Sequence, residues 1–67
     1  MEFLSQQDAL IEAAQTFAMH YGTDGFQIVG IERNHQDDQA WDVLVKLDGE
    51  VWRATTWKEQ GDCYCEW

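Results

Sequence analysis

The sequence predicts an α+β fold in which one N-terminal helix packs on an antiparallel sheet of three or four strands. A helical spacing of apolar residues precedes several strand-like segments, two of which flank an Asp-Gly pair. The chain has 67 residues, of which 45% are hydrophobic, and this length is sufficient for one small core. We therefore expect residues 1–67 to form a single small domain.

The first predicted element is a helix over residues 6 to 21. Ser5 is typical of a helix N-cap, Asp8 suits the positive end of the helix dipole, and Gly22 is typical of the residue that ends a helix. The apolar residues between them recur at i, i+3, i+4 and i+7, as expected of one buried face. The members of this predicted face are Leu10, Ala13, Ala14, Phe17, Ala18 and Tyr21.

A first strand is predicted at about residues 26 to 33, and a short fourth strand in the terminal segment CYCEW. β-Branched residues favour the first strand, and Gly30 within it indicates a bulge or close packing against a bulky neighbour. The segment EQGD before CYCEW is typical of a turn. Alternation along the fourth strand places Cys63, Cys65 and Trp67 on one side of the sheet.

The strongest strand signal predicts a hairpin formed by AWDVLVKL and EVWRATTW. Asp48 and Gly49 between the two segments favour a type I′ turn, which places Val45 opposite Trp52. The predicted core face of this hairpin carries Trp41, Val43, Val45, Leu47, Trp52 and Ala54. The other face, which a single helix leaves uncovered, carries Asp42, Leu44, Lys46, Val51, Arg53, Thr55 and Trp57.

The segment WDVLVKLDGEVWRATT after a helix resembles PepSY-like domains, in which a helix precedes a strand hairpin. The resemblance covers roughly residues 9 to 56. It implies the helix–hairpin arrangement alone, and no functional residue is carried over from it.

The charge balance argues against several classes of partner. The chain has 13 Asp and Glu residues against four Lys and Arg residues, a formal net charge of −9. Nucleic acids and anionic membranes both attract basic side chains, so we expect direct binding to neither. Either the acidity keeps an aromatic-rich protein soluble, or it faces a basic partner. The sequence shows no run of 18 apolar residues and no signal peptide, so a cytoplasmic location is expected.

The titratable residues do not predict an enzyme or a bound cofactor. His35 is close in sequence to the carboxylates of Asp37 and Asp38, but a solvated polar loop accounts for this spacing. No Gly-rich loop follows a strand and opens a helix, so a nucleotide site is not predicted. We expect a non-catalytic protein without a cofactor.

Cys63 and Cys65 are the candidates for a metal or redox site. Structural zinc takes about four ligands, and the other soft ligands, His20 and His35, lie on separate elements. A spacing of roughly 6.5 Å between the two Cα atoms is near the upper limit for a disulfide. We expect reduced structural thiols, with a zinc module or exposed reactive thiols as the weaker alternatives.

The leading functional hypothesis is a small interaction or regulatory module that binds a basic surface. Its narrower form is a phage-type inhibitor whose carboxylates imitate a row of phosphates and occupy the groove of a nucleic-acid-handling protein. The predicted contact residues are Asp37, Asp38, Asp42, Asp48 and Glu50. A merely solvated acidic surface is the alternative.

A second hypothesis uses the uncovered sheet face. Leu44, Val51, Arg53 and Trp57 combine apolar, aromatic and arginine side chains, a composition typical of interaction hot spots. They predict a homodimer or an accessory subunit that assembles through this face. The alternative is that the terminal segment or a β-bulge shields these residues within the monomer.

Overall fold

The predicted α+β fold is confirmed. The computed structural model describes residues 3–67, which form one helix on one four-stranded antiparallel sheet with the strand order β1-β2-β3-β4. The elements are α1 (Gln6–Tyr21), β1 (Gln27–Arg33), β2 (Trp41–Leu47), β3 (Glu50–Glu59) and β4 (Asp62–Glu66). The fourth strand is therefore present, and β3 extends two residues beyond the predicted hairpin segment.

Both ends of α1 are capped as predicted. The Ser5 side chain accepts a hydrogen bond from the Asp8 N–H at 3.1 Å, which satisfies one of the N–H groups that the first turn leaves without a helical partner. Gly22 has a φ of 80°, and its N–H donates to the Ala18 carbonyl at 2.8 Å. Glycine adopts this positive φ without steric penalty, so the helix ends there.

The buried face of α1 is narrower than predicted and is rotated around the helix. Ala9, Ala13 and Phe17, at a strict spacing of four, are fully buried. Of the predicted members, Leu10, Ala14 and Ala18 are only partly buried, and Tyr21 is 43% exposed. Ala9 and Ala13 face the sheet, and their small side chains let the helix backbone approach it closely. Phe17 is the one large side chain among the three fully buried helix residues.

The predicted hairpin register is confirmed. Val45 pairs with Trp52, and the neighbouring pairs on either side follow the same register. Asp48 and Gly49 have φ values of 52° and 82°, both positive, as a type I′ turn requires. The turn between β3 and β4 repeats this conformation, with φ values of 53° at Gln60 and 84° at Gly61.

The irregularity predicted at Gly30 is also present. The pairing of β1 with β2 shifts between Ile28 and Gly30, which leaves Val29 in a β-bulge. A Cβ atom added at Gly30 would lie 3.3 Å from Leu44 Cδ1, closer than most such contacts. Glycine therefore makes room for Leu44 on the side of the sheet away from α1.

The core lies between α1 and one side of the sheet. Val43, Val45 and Ala54 are fully buried there against Phe17. Trp52, a predicted core residue, is instead 43% exposed, because it lies near the margin of the sheet beside the hairpin turn. Leu4 is buried as well, and its carbonyl accepts a hydrogen bond from Trp41 Nε1 at 2.6 Å.

Candidate interaction site

We define the uncovered face as the side of the sheet away from α1. Leu44, Val51, Arg53 and Trp57 lie on it, since each alternates along its strand with residues of the core side. Val51 is 60% exposed and Arg53 is exposed, whereas Leu44 and Trp57 are half-buried. The structure therefore places the four predicted hot-spot residues on one face, with Val51 and Trp57 toward opposite ends of β3.

Asp42 lies at the centre of the uncovered face, and it is buried, with 2% of its surface exposed. Its carboxylate accepts hydrogen bonds from Asn34 Nδ2 at 2.9 Å, Thr55 Oγ1 at 3.0 Å and Arg53 at 3.1 Å. Asp42 was predicted to contact a partner through its charge. This assignment is wrong, because the carboxylate is turned into the protein and is occupied by three donors.

The electrostatics of Asp42 follow from these contacts. Burial alone raises the pKa of a carboxyl group, because it penalises the charged form. At Asp42 the hydrogen bonds from Asn34, Arg53 and Thr55, together with the charge of Arg53, outweigh that effect and hold the pKa below its ordinary value. Arg53 also pairs with Glu32 on β1, so two carboxylates share one guanidinium and raise its pKa.

The segment between β1 and β2, residues 34 to 40, is shaped by hydrogen bonds that begin at Asp42. While Asn34 Nδ2 donates to Asp42, Asn34 Oδ1 accepts from the backbone N–H groups of Gln36 at 2.9 Å and Asp37 at 3.0 Å. The Asp37 carboxylate in turn accepts from the Gln39 N–H at 2.9 Å. Such side chain to backbone bonds replace a regular ladder and hold the loop in one shape.

An open pocket of about 440 Å³ lies between this loop and the last residues of the chain, on the uncovered face. Three groups of residues line it: the loop, the middle of β3, and the end of β4 with Trp67. The lining residues are Asn34, Gln36, Asp37, Ala40, Arg53, Thr55, Trp57, Glu66 and Trp67. All three residues that donate to Asp42 are among them, so the buried carboxylate organises the pocket from beneath.

Both tryptophans that line the pocket are held by other rings. Trp57 stacks on Tyr64, its cross-strand partner, with a centroid distance of 5.7 Å and an interplanar angle of 20°. Trp67 packs on Phe17 at 4.6 Å and on His20 at 5.2 Å. Aromatic pairs of this kind stabilise both rings, so these contacts hold the two indoles in place.

The structure divides the predicted acidic residues rather than gathering them. Asp37 lines the pocket, and Asp38 is exposed beside it, with its backbone carbonyl bound by Arg33. Asp48 and Glu50 lie at the opposite end of the sheet, in and after the β2–β3 turn. The seven residues of β2 separate the two groups by roughly 20 Å.

Cys63 and Cys65 lie on the side of the sheet that faces α1. Both thiols are half-buried, and neither forms a disulfide. Burial, followed by the charge of Glu12, raises the pKa of both thiols, to about 11 for Cys65, so the neutral form predominates near pH 7. Within residues 3–67, no group of three or more His, Cys, Asp and Glu side chains can hold a metal ion, so the zinc alternative lacks ligands.

Four contributors to the site were not predicted from the sequence: Asn34, Tyr64, Glu66 and Trp67. Asn34 had a recognisable signal, since Asn followed at short range by Asp is typical of side chain to backbone turns. Tyr64 and Glu66 alternate with Cys63 and Cys65 along β4 and pair with Trp57 and Thr55, so they lie on the uncovered face. Their meeting with the loop from β1 had no local signal.

Comparisons with protein-family models, with curated proteins and with solved structures found no match for this chain. The resemblance to PepSY-like domains therefore gains no support. No helix among the described residues combines the length and the apolar character that crossing a membrane requires.

Proposed function

We propose that this protein is a non-catalytic interaction module whose uncovered face binds a basic surface of a partner protein. The observation that carries the proposal is the pocket on a sheet face that, within residues 3–67, no second layer covers. A sheet face with exposed Val51, a half-buried tryptophan and a preformed pocket has the composition of a protein-binding surface.

The charge of the chain supports a basic partner. The formal net charge is −9, and the one cation at the centre of the uncovered face, Arg53, is already paired with Glu32 and Asp42. Arg33 is also engaged, with its guanidinium 4.6 Å from the centre of the Trp41 ring. A basic surface therefore meets few unpaired positive charges here, and the overall field steers it toward the protein.

The narrower form of this proposal is an inhibitor that imitates nucleic-acid phosphates. Its contact residues are now Asp37, Asp38, Asp48 and Glu50, without the buried Asp42. Because these residues form two groups separated by roughly 20 Å, such mimicry requires a partner with two separate basic patches. If the protein imitates phosphates in this way, charge reversal at either end of the sheet would weaken binding. If the partner binds through a single basic patch at the pocket, only charge reversal at the pocket end would weaken it.

The placement of the reactive side chains supports the non-catalytic part of the proposal. His20 packs on Trp67, and His35 is exposed on the loop before β2. The thiols of Cys63 and Cys65 are half-buried with raised pKa values, so they are poor nucleophiles. A nucleophile and a base within hydrogen-bonding reach are the minimum for covalent catalysis.

Self-association through the same face is a second candidate, favoured by the 60% exposure of Val51 beside Leu44. Salt separates the two candidates. Two copies of a chain with net charge −9 repel each other, so a homodimer becomes tighter as salt screens the repulsion. Binding to a basic partner becomes weaker under the same change.

The test of the proposal is affinity capture from a lysate of the organism that encodes the chain, with matched variants of the protein as baits. The baits are the unmodified protein, Trp57→Ala, Val51→Lys and, as a matched control, Trp52→Ala, since Trp52 is equally large but lies outside the uncovered face. We expect a basic protein that the unmodified and Trp52→Ala baits retain and the other two lose. The purified partner should then bind directly. Its affinity should be at least about fivefold weaker at about 300 mM salt than at about 50 mM salt.

Two results would contradict the proposal. Equal retention by all four baits would mean that the uncovered face is not the binding surface. Binding of the purified partner that does not change with salt would remove its electrostatic basis. Light scattering over a wide range of protein concentration, at low and at high salt, tests the homodimer in parallel, and a salt-strengthened dimer lost in Val51→Lys would favour that candidate instead.

A further inference from the structure

We propose that the pocket is a subsite for a single cationic side chain of the partner, an arginine in preference to a lysine. The guanidinium would lie against the indole of Trp57 and pair with the carboxylates of Asp37 and Glu66. This inference rests on the proposed function, because it names the chemical group that the uncovered face would recognise. The pocket volume of about 440 Å³ is in the lower part of the range for small-ligand sites, as suits one side chain.

The sign of the ligand follows from the charges around the pocket. Arg53 is the one cation in its lining, and Glu32 and Asp42 both bind its guanidinium. Asp37 and Glu66 add two more carboxylates to the wall. An anionic ligand would have to displace carboxylates from Arg53 and approach two others, whereas a cation meets an excess of negative charge.

The choice of arginine follows from the walls. A guanidinium is planar, weakly hydrated and able to stack on an indole face while its N–H groups bind carboxylates. An ammonium group is strongly hydrated and offers a point charge, so it gains less from an aromatic wall. The pocket joins the indole of Trp57 to the carboxylates of Asp37 and Glu66, a combination that favours a guanidinium.

The pocket is also formed before the ligand arrives. The bonds from Asn34 to Asp42 and to the backbone of residues 36 and 37 hold the loop wall. Stacking on Tyr64 holds the indole of Trp57, and packing on Phe17 holds Trp67 at the margin of the pocket. A preformed site loses little conformational entropy on binding, so even a single side chain can bind measurably.

The test uses three capped tripeptides, Gly-Arg-Gly, Gly-Lys-Gly and Gly-Glu-Gly, titrated into the isotopically labelled full chain and followed by NMR. The four tryptophans give four indole N–H signals, which report on Trp41, Trp52, Trp57 and Trp67 separately. We expect the arginine peptide to shift the signals of Trp57 and Trp67 and to leave that of Trp52 in place. The lysine peptide should bind at least about threefold more weakly than the arginine peptide, and the glutamate peptide should not bind.

Charge-neutralising variants with matched controls locate the site. Asp37→Asn keeps an oxygen that can accept from the Gln39 N–H, and Asp38→Asn is its neighbour outside the pocket. Glu66→Gln is paired with Glu59→Gln, which lies at the exposed end of β3. We expect the two pocket variants to weaken arginine binding about fivefold each and the two controls to leave it nearly unchanged.

The outcomes separate this inference from the proposed function. If the arginine peptide shifts none of the four signals, or all of them equally, or if the glutamate peptide shifts those of Trp57 and Trp67, the arginine subsite is wrong. The proposed function still stands in that case if Trp57→Ala abolishes capture of a basic partner. If the arginine peptide binds at the pocket but all capture baits behave alike, the subsite stands and the proposed function is wrong.

Discussion

The two faces of the sheet come from the same four strands, yet different interactions hold them. On the side facing α1, Val43, Val45 and Ala54 are fully buried, and their side chains have no polar atoms that need a hydrogen-bond partner. On the uncovered face the most buried side chain is a carboxylate, that of Asp42, which three donors satisfy. The apolar face draws its stability from contact with the helix, and the uncovered face draws its order from hydrogen bonds within one layer.

This difference indicates what the interactions on each face contribute to the structure. Buried ion pairs add little net stability compared with apolar packing, because each charge must lose its water. Their better attested use is to position groups, and here Asp42 positions three residues of the pocket lining: Asn34, Arg53 and Thr55. The helix-facing side therefore supplies most of the free energy of folding, and the hydrogen bonds of the uncovered face hold the pocket lining in place.

The largest expected effect lies on the helix-facing side. Phe17→Ala removes the main large anchor between α1 and the sheet, and we expect it to lower the free energy of unfolding by about 4 kcal/mol. Since a domain of this size has a total stability of only about 3–10 kcal/mol, Phe17→Leu is the milder companion, with a loss of about 1.5 kcal/mol. Urea unfolding followed by tryptophan fluorescence measures both.

The matched control is Met19→Ala on the same helix, where the side chain is 79% exposed. Its free energy of unfolding should stay within about 0.5 kcal/mol of that of the unmodified protein. A loss for Phe17→Leu no larger than that for Met19→Ala would mean that the helix-facing side does not dominate stability.

The second prediction concerns the uncovered face. Asp42→Ala leaves Asn34 Nδ2, Thr55 Oγ1 and one interaction of Arg53 without an acceptor, and we expect a loss of about 2 kcal/mol at neutral pH. The loop and the pocket depend on this carboxylate. We therefore also expect the arginine tripeptide to bind more weakly, although residue 42 itself does not line the pocket.

Acid supplies a control for the same prediction. Folding lowers the pKa of Asp42, so its contribution is present above the unfolded value of about 3.9 and is lost as the pH falls through the lower folded value. The unmodified protein should lose stability below pH ~4 more steeply than Asp42→Asn, which has no carboxyl to titrate. Parallel pH profiles for the two proteins would mean that the hydrogen bonds do not favour the charged form.

The elements that the sequence analysis predicted well are those whose signals are local. The hairpin register follows from two residues, Asp48 and Gly49, and from alternation on either side of them. The helix boundaries follow from Ser5 and Gly22 in the same way. A turn or a cap constrains neighbours within a few residues, so its consequences can be read along the chain.

The burial of Asp42 had no such signal. Alternation placed it correctly on the uncovered face, but its depth depends on Asn34, eight residues earlier, and on Arg53 and Thr55, across the sheet. Leu4 is a different case, because a hydrophobic residue just before the N-cap commonly packs on the first turn, and both Leu4 and Ala9 belong to the core. The burial of Asp42 could not be predicted, because its hydrogen-bond partners are distant in the sequence. The burial of Leu4 could have been predicted from the local pattern before the N-cap.

The smallest predicted effect returns to the helix-facing side, in alkaline solution. Burial, followed by the charge of Glu12, raises the pKa of the Cys65 thiol to about 11, whereas an unfolded thiol titrates near pH ~8.5. A group whose folded pKa is raised contributes stability below its unfolded pKa and loses it as the pH rises toward the folded value. We expect the stability of the unmodified protein to fall by about 1 kcal/mol between pH 8 and pH 10 as a result of this one thiol.

The control is Cys65→Ala, which removes the titrating group and leaves the tyrosines and Cys63 to titrate as before. The difference between the two proteins therefore isolates Cys65, and it should narrow as the pH rises. A constant difference would mean that the thiol is open to solvent on the α1 side. With acid acting on Asp42 and alkali on the thiols, the two limbs of one pH profile report separately on the two faces of the sheet, because folding lowers the pKa of a carboxyl on one face and raises the pKa values of Cys63 and Cys65 on the other.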